Sequence, residues 1–150
     1  MKKIILILMF FCFLTSSFAA QRNFSTLNDE SITYDKITSQ ENTVLLLWAT
    51  WCPSCRRELR RLSEKRIFFK DISVWYINTG ENKSSVKAYI NARDLNSTIK
   101  NRIILDQEGY IAQKFSVTGI PTYIFFKNGK PAFKSYYLDN ELLEKVFGEK

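Results

Sequence analysis

WATWCPSC, residues 48–55, joins two segments of opposite pattern. The apolar run VLLL at residues 44–47 is typical of a strand buried on both faces. The charged run at residues 56–65 favours a helix. Cys52 and Cys55 therefore lie where a strand passes into a helix, which is the arrangement of a dithiol redox site.

A cysteine at the start of a helix faces unpaired backbone N–H groups and the positive end of the helix dipole. Both favour the thiolate, so we expect the pKa of the Cys52 thiol to lie below its ordinary value. Cys55 lies one turn further on and should be more buried, so it would resolve a mixed disulfide formed by Cys52. Pro53 suits the first helical position, because it has no N–H to leave unpaired. A static disulfide or two buried thiols are the alternatives.

The N-terminal residues have the pattern of a secretory signal. Lys2 and Lys3 precede an apolar run at residues 4–14, and Ser17 and Ala19 offer small side chains for cleavage after Ala19. We therefore expect residues 1–19 to be a signal peptide and residues 20–150 to form one domain, since 150 residues leave little room for two. The predicted location is periplasmic or otherwise extracytoplasmic. An uncleaved segment would instead act as a membrane tether.

Charge and residue usage narrow the classes of function. The formal charge is +7, or +5 once Lys2 and Lys3 are subtracted, and this excess favours acidic partners or anionic surfaces. It is weak support for nucleic-acid binding, and export argues further against it. The chain has no His, the commonest metal ligand and general base. After cleavage only Cys52 and Cys55 remain as cysteines, so we expect no cofactor and no structural metal site.

The rest of the chain alternates strand and helix patterns, which predicts parallel strands joined by right-handed crossovers. An entry hairpin is expected within residues 21–42, with the strand alternation resuming at Ile32, Tyr34 and Ile37. Asn128-Gly129 predicts a second hairpin. Strands are predicted at residues 43–49, 72–77, 102–105, 123–126 and 131–137. Helices are predicted after Cys52, at residues 110–115 and at residues 140–147, the last capped by Asp139 or Asn140. Ser84 is expected to cap a further helix that runs to about Arg93.

The helix after Cys52 has one apolar stripe, formed by Cys55, Leu59 and Leu62. Glu58 lies beside that stripe, at the boundary between core and solvent. The remaining faces are crowded with basic side chains. These are either a solvated helix surface or a docking face for an acidic partner, which salt would weaken. The basic residues are Arg56, Arg57, Arg60, Arg61, Lys65 and Arg66.

The sequence resembles the thioredoxin fold, and specifically the TlpA/ResA-like exported thiol–disulfide oxidoreductases, in three motifs. They are WATWCPSC at residues 48–55, Gly119-Ile120-Pro121-Thr122 and Asn128-Gly129-Lys130. The resemblance covers nearly the whole chain after the signal. It implies an α/β thioredoxin-like fold: a central mixed sheet flanked by helices, with an N-terminal β-hairpin and an inserted helix–strand between Ser84 and Leu105.

The resemblance also implies roles for single residues. Pro121 matches the cis-proline that the family places opposite the dithiol, which leaves the backbone of Ile120 free to pair with an extended partner chain. Substrate contacts are expected from Trp51, Pro53, Ile120 and Pro121. Glu58 matches a glutamate of the ResA-like branch, and we expect it to have a raised pKa and to shuttle the Cys55 proton. The alternative is a solvent-facing Glu58 paired with Arg61 or Arg57.

Two positions depart from the resemblance. Leu46 stands where thioredoxins have a buried aspartate, so their usual proton acceptor is absent. Pro53 directly follows Cys52, whereas most of the branch has a proline just before the second cysteine. The redox potential therefore cannot be transferred from the family.

The leading interpretation is an extracytoplasmic thiol–disulfide oxidoreductase that acts on cysteine pairs of exported proteins, more as a reductant than as an oxidase or isomerase. The resemblance implies a membrane dithiol donor and suggests a role in cytochrome c maturation. A Cu(I)-handling protein with Cys52 and Cys55 as ligands is one alternative. A non-catalytic peptide-binding module is another.

Overall fold

The computed structural model describes residues 21–64 and 71–148. The predicted signal peptide lies outside the described residues. The strands are β1 (Asn23–Thr26), β2 (Ser31–Thr33), β3 (Asn42–Trp48), β4 (Ser73–Thr79), β5 (Ile103–Asp106), β6 (Thr122–Lys127) and β7 (Lys130–Ser135). The helices are α1 (Tyr34–Thr38), α2 (Pro53–Glu64), α3 (Lys83–Asn91), α4 (Ser97–Lys100), α5 (Tyr110–Lys114) and α6 (Asn140–Phe147).

The seven strands form one mixed sheet in the order β2-β1-β5-β4-β3-β6-β7. The predicted parallel pairing is confirmed for β3 with β4 and for β4 with β5. β6 runs antiparallel to β3, and β7 antiparallel to β6. Because β3 and β4 are parallel, the segments that leave their C-terminal ends meet at one edge of the sheet. The CxxC segment and the loop after β4 leave from this edge.

Strand β3 divides the core into two layers, because its alternate side chains point to opposite faces of the sheet. Leu46 and Trp48 pack with residues of α2, α3 and α6 on one face. Leu45 and Leu47 pack with Ile37 and Ile111, from α1 and α5, on the other. All side chains of residues 43–49 are buried, as the continuous apolar run predicts.

The entry segment differs in part from the prediction. The hairpin is present as β1 and β2, which pair in antiparallel fashion. However, Tyr34 and Ile37 do not continue the second strand, because residues 34–38 form α1. The hydroxyl of Thr33 accepts a hydrogen bond from the backbone N–H of Lys36 and so begins this helix. A local cap therefore overrides the strand-like alternation.

Two further details of the helices were not predicted correctly. Helix α3 is capped by Asn82, two residues before the expected cap Ser84, since the Asn82 side chain accepts a hydrogen bond from the backbone N–H of Ser85. The short helix α4 was missed altogether, and it is capped by Asn96. Asp139 caps α6, which is one of the two caps expected.

Candidate active site

The two cysteines form a disulfide at the start of α2, with their Cα atoms 5.2 Å apart. The helix begins at Pro53, as predicted. Cys52 is the residue before the first turn, and its Sγ accepts a hydrogen bond from the backbone N–H of Cys55 at 3.1 Å. The Cys52 side chain is 3% exposed, and that of Cys55 is fully buried. Cys52 is thus the more accessible sulfur, and a backbone donor is already aimed at it.

The loop before β6 approaches Cys52 from the opposite side. The Ile120–Pro121 peptide bond is cis, as expected from the motif. The carbonyl oxygen of Ile120 lies 3.7 Å from Cys52 Sγ. The Thr122 hydroxyl donates to the carbonyl of Gly119 at 2.6 Å and closes this loop on itself. Cys52 is therefore enclosed between a helix start and the Ile120–Pro121 backbone, which lie 68 residues apart in sequence.

The surface around the disulfide is partly apolar. Trp51 is 67% exposed, which is unusual for so large an apolar side chain. Pro53 is also exposed, whereas Ile120 and Pro121 are half-buried. The Ser54 hydroxyl lies 3.3 Å from Cys52 Sγ. The structure thus brings the four expected substrate-contacting residues to the same end of the sheet as Cys52, and their contact with a substrate remains a prediction.

Glu58 belongs to a polar network on α2, three residues after Cys55. Its carboxylate accepts two hydrogen bonds from the Arg61 guanidinium, at 2.8 and 2.6 Å, and one from the Tyr123 hydroxyl. Arg61 also donates to the carbonyl of Leu138 at 2.7 Å. Tyr123 is fully buried on β6, so the network ties α2 to the sheet and to the segment before α6. Glu58 is therefore paired with Arg61, which is one of the two partners expected for it under the alternative interpretation.

The raised pKa expected for Glu58 is wrong for this disulfide form. Burial alone would raise the pKa of its carboxyl, but the hydrogen bonds from Arg61 and Tyr123 and the charge of Arg61 together outweigh it and lower the pKa. The Tyr123 pKa moves upward, because burial and the Glu58 carboxylate both oppose its ionisation. Glu58 is hence a carboxylate at neutral pH, and the sequence alone could not show that a buried tyrosine would donate to it.

A second carboxylate, Glu81, was not singled out from the sequence. It follows β4 and accepts hydrogen bonds from the Thr50 backbone N–H at 2.6 Å, from the Thr50 hydroxyl, and from the Asn78 side chain at 2.7 Å. Thr50 lies two residues before Cys52. Glu81 therefore anchors the backbone that leads into the CxxC segment. Only the parallel pairing of β3 and β4 reveals this contact.

Residues 21–64 and 71–148 contain no cluster of three or more His, Cys, Asp or Glu side chains that could hold a metal ion. Among the same residues, none of the helices has both the length and the apolar character needed to cross a membrane.

Fold and site together define a class: a thioredoxin-like α/β protein with a CxxC disulfide at a helix start, facing a cis-proline. The match to a family model is more specific. The chain belongs to the AhpC/TSA family, whose model matches residues 16–131, more than half of the chain. The expected thioredoxin-fold family is confirmed, and ResA-type oxidoreductases are among the relatives that the chain resembles.

Curated relatives resemble the chain over a segment. Sporulation thiol-disulfide oxidoreductase A of Bacillus subtilis is 28% identical over 87 residues, which cover 55% of this chain and 50% of the relative. Thiol-disulfide oxidoreductase ResA of Geobacillus kaustophilus is 28% identical over 89 residues, which cover 57% of this chain and 49% of the relative. The matches thus span about half the length of these relatives.

Solved structures support the fold over most of the chain. The pneumococcal exposed lipoprotein thioredoxin from Streptococcus pneumoniae superposes with a TM-score of 0.68 at 18% identity, over 85% of this chain and 98% of that one. StoA from Bacillus subtilis superposes with a TM-score of 0.65 at 22% identity, over 85% and 96%. The thioredoxin-like fold is therefore confirmed, with its mixed sheet and flanking helices.

Proposed function

We propose that the protein is a thiol–disulfide oxidoreductase that exchanges its Cys52–Cys55 pair with cysteine pairs of other proteins. The observation that carries this proposal is the difference between the two sulfurs. Cys52 Sγ accepts the Cys55 N–H at the start of α2 and lies 3.7 Å from the Ile120 carbonyl, while Cys55 is fully buried. A purely structural disulfide would have no need of a sulfur with an aligned donor that lies beside the exposed side chain of Trp51.

The exchange proceeds in two balanced steps. In the reduced protein, the Cys52 thiolate attacks one sulfur of a substrate disulfide, so that a mixed disulfide forms and the other substrate sulfur leaves as a thiolate. The Cys55 thiol then loses its proton and attacks the Cys52 sulfur, which breaks the mixed disulfide and releases the second substrate sulfur. Two electrons pass from the protein to the substrate, and Cys52 and Cys55 end as the disulfide described above.

The proton that Cys55 loses needs an acceptor, and we assign this role to Glu58. Glu58 lies three residues after Cys55, so both side chains lie on neighbouring parts of one face of α2, about 5–6 Å apart at Cβ. Its carboxylate is ionised at neutral pH, and Arg61 and Tyr123 fix its position. Pro121 and the Ile120 backbone would align the substrate chain against Cys52, with Trp51 and Pro53 beside it.

We propose extracytoplasmic, cysteine-containing proteins as substrates and a membrane dithiol protein as the electron donor, with the chain acting as a reductant. Reduction of apocytochrome c cysteines is the physiological role that the resemblance suggests. The location is supported by the secretory pattern of residues 1–19 and by similarity to structures described as an exposed lipoprotein and as a secreted oxidoreductase.

Reduction of the insulin interchain disulfides with dithiothreitol as electron source tests the activity. We expect the wild-type protein to accelerate precipitation of the insulin B chain and Cys52→Ser to abolish the acceleration. Unchanged activity in Cys52→Ser would refute the proposal. A titration of the Cys52–Cys55 pair against glutathione then tests direction: a potential near that of thioredoxin, about −270 mV, supports a reductant, and one near about −120 mV an oxidant.

A further inference from the structure

An arginine-rich groove begins beside the disulfide. It lies between α2 and the segment from the end of α3 to Leu95, and its volume is about 590 Å³. Pro53, the residue after Cys52, lines one end of it. Its arginines come from both walls, three from α2 and one from the opposite segment. They are Arg56, Arg57, Arg60 and Arg93.

The α2 wall is one continuous stripe of the helix. Pro53, Arg56, Arg60 and Glu64 follow one another at intervals of three, four and four residues, so they lie along the same face, and Arg57 is adjacent to Arg56. At a rise of 1.5 Å per residue this stripe is about 16 Å long. An extended peptide rises about 3.3 Å per residue, so about five of its residues fit along the groove.

The four groove arginines are all exposed, and they take part in none of the ion pairs between described residues. Arg61, on the same helix, differs because Glu58 and the Leu138 carbonyl occupy its donors. On the opposite wall, the Arg93 guanidinium lies 4.9 Å from the centre of the Tyr89 ring. The Tyr89 ring packs on buried Trp48, which restrains its position, and the cation–π contact with this ring in turn orients the Arg93 guanidinium.

Charge is distributed unevenly along the groove. Its lining carries four arginines against the two carboxylates Glu64 and Asp94, a net of +2 (4 minus 2). Both carboxylates lie at the end of the groove far from Cys52. Glu64 is the last residue of α2. Asp94 lies near that end too, because the backbone N–H of Asn96, two residues after Asp94, donates to the Ser63 hydroxyl at 2.8 Å. The end nearest Cys52 is therefore positive, and arginine recognises carboxylates through paired hydrogen bonds.

We propose that this groove binds an acidic segment of the partner protein, next to the cysteine that exchanges with Cys52. This proposal rests on the proposed function, because Pro53 joins the groove to the disulfide and a chain lying in the groove would continue to Cys52. A bilayer surface is too flat to enter a groove with walls on both sides, so a peptide fits better than a membrane. The groove would thus select among disulfide-containing substrates by the charge near their cysteines.

The test compares two peptides that contain the same disulfide-closed Cys-x-x-Cys unit. Four glutamates flank it on each side in one peptide and four glutamines in the other. For the wild-type protein we expect kcat/KM to be about tenfold higher for the acidic peptide, with the difference in KM, since each exposed pair contributes modestly. Raising NaCl from about 20 to about 300 mM should remove most of this preference.

Variants locate the effect. Arg56→Gln with Arg60→Gln should bring the two peptides within about twofold, and Arg93→Gln on the other wall should act in the same direction. Lys36→Gln with Lys130→Gln removes the same charge from exposed sites outside the groove and should keep the full preference. Equal kcat/KM for both peptides in the wild type, or a preference that both groove variants retain, would overturn the proposal.

Two further measurements separate this proposal from others. Binding of an acidic peptide with both cysteines replaced by serine, followed by fluorescence anisotropy, tests the groove without any redox step. Loss of that binding in Arg93→Gln would support the groove whether or not the peptides are reduced. Failure of the wild type to reduce either peptide would refute the proposed function but not the groove. Vesicles of phosphatidylglycerol that bind more weakly to the groove variants, with peptide binding unchanged, would assign the surface to membranes and refute the proposal.

Discussion

The carboxylate of Glu81 accepts hydrogen bonds from both the backbone N–H and the hydroxyl of Thr50, a residue 31 positions earlier in the chain. The same carboxylate accepts the Asn78 side-chain N–H at 2.7 Å. Thr50 leads directly into Trp51 and Cys52, so one side chain from the loop after β4 determines where the CxxC segment leaves β3. Glu81 is accordingly a positioning residue.

Glu81→Gln should destabilise the protein by about 1–3 kcal/mol, because the neutral amide cannot accept all three hydrogen bonds that the carboxylate takes. Urea unfolding of the oxidised protein at pH 7 measures this change. The matched control is Glu30→Gln, at an exposed glutamate in the β1–β2 hairpin, which should change stability by less than about 0.5 kcal/mol. Equal stabilities of the two variants would contradict the role given to Glu81.

Cys55→Ser should trap the mixed disulfide between Cys52 and a substrate, because no second sulfur remains to resolve it. A model peptide disulfide incubated with reduced Cys55→Ser should give one covalent adduct by mass spectrometry, which dithiothreitol releases. Cys52→Ser should give little adduct, since Cys55 is fully buried. Comparable adducts on both variants would show that the two sulfurs do not have distinct roles.

In the reduced wild-type protein, iodoacetamide at neutral pH should modify Cys52 well before Cys55. The Cys55 N–H is aimed at Cys52 Sγ, and the start of α2 adds its positive dipole end. Peptide mapping after brief alkylation measures the ratio. Preferential labelling of Cys55 would be inconsistent with this geometry.

Glu58 should make stability depend on pH in the acid range. The pKa of its carboxyl is lower in the folded protein than its ordinary value of 4.5. The stabilisation is therefore fully present above about pH 4.5 and is lost as the pH falls through the folded-state pKa. Glu58→Gln should be less stable than wild type by about 1–3 kcal/mol at pH 7.

The difference between Glu58→Gln and wild type should shrink steadily below about pH 4.5, as measured by urea unfolding across the acid range. Taking the difference removes the contribution of Asp106, whose pKa is raised chiefly by burial and whose pH dependence has the opposite sign. A gap that stays constant down to pH 2 would refute the lowered Glu58 pKa. In insulin reduction, an unchanged pH profile for Glu58→Gln would remove its proton-transfer role.

Tyr123→Phe should destabilise the protein by about 1–2 kcal/mol, since it removes the hydroxyl that donates to Glu58 from a fully buried site. The Glu58 pKa should rise in this variant, because the lost hydrogen bond is one of its lowering causes. The acid loss of stability should consequently begin at higher pH. Tyr76→Phe is the control, because Tyr76 is also buried but its hydroxyl has no hydrogen bond among the described residues.

Features that depend on neighbours along the chain could be predicted from the amino-acid pattern. The buried strand before Cys52, the helix that begins at Pro53 and the stripe of Cys55, Leu59 and Leu62 follow from local periodicity. The parallel strands and the turn at Asn128-Gly129 follow in the same way. These patterns indicated an α/β protein with a cysteine pair at a helix start, and the resemblance of residues 48–55 and 119–122 to the thioredoxin fold identified the fold itself.

Contacts between side chains of distant segments could not be predicted in this way, because they depend on how the chain folds in three dimensions. Tyr123 reaches Glu58 across 65 residues, and Glu81 reaches Thr50 across 31. Both contacts depend on the strand order of the sheet, which places β4 and β6 on either side of β3. The fold also places Arg93 opposite the arginines of α2. The Glu58 pKa depends on these partners as well as on burial, so its direction could not be derived from spacing. Local periodicity fixes which face of an element is buried, whereas the electrostatics of a site depend on what packs against that face.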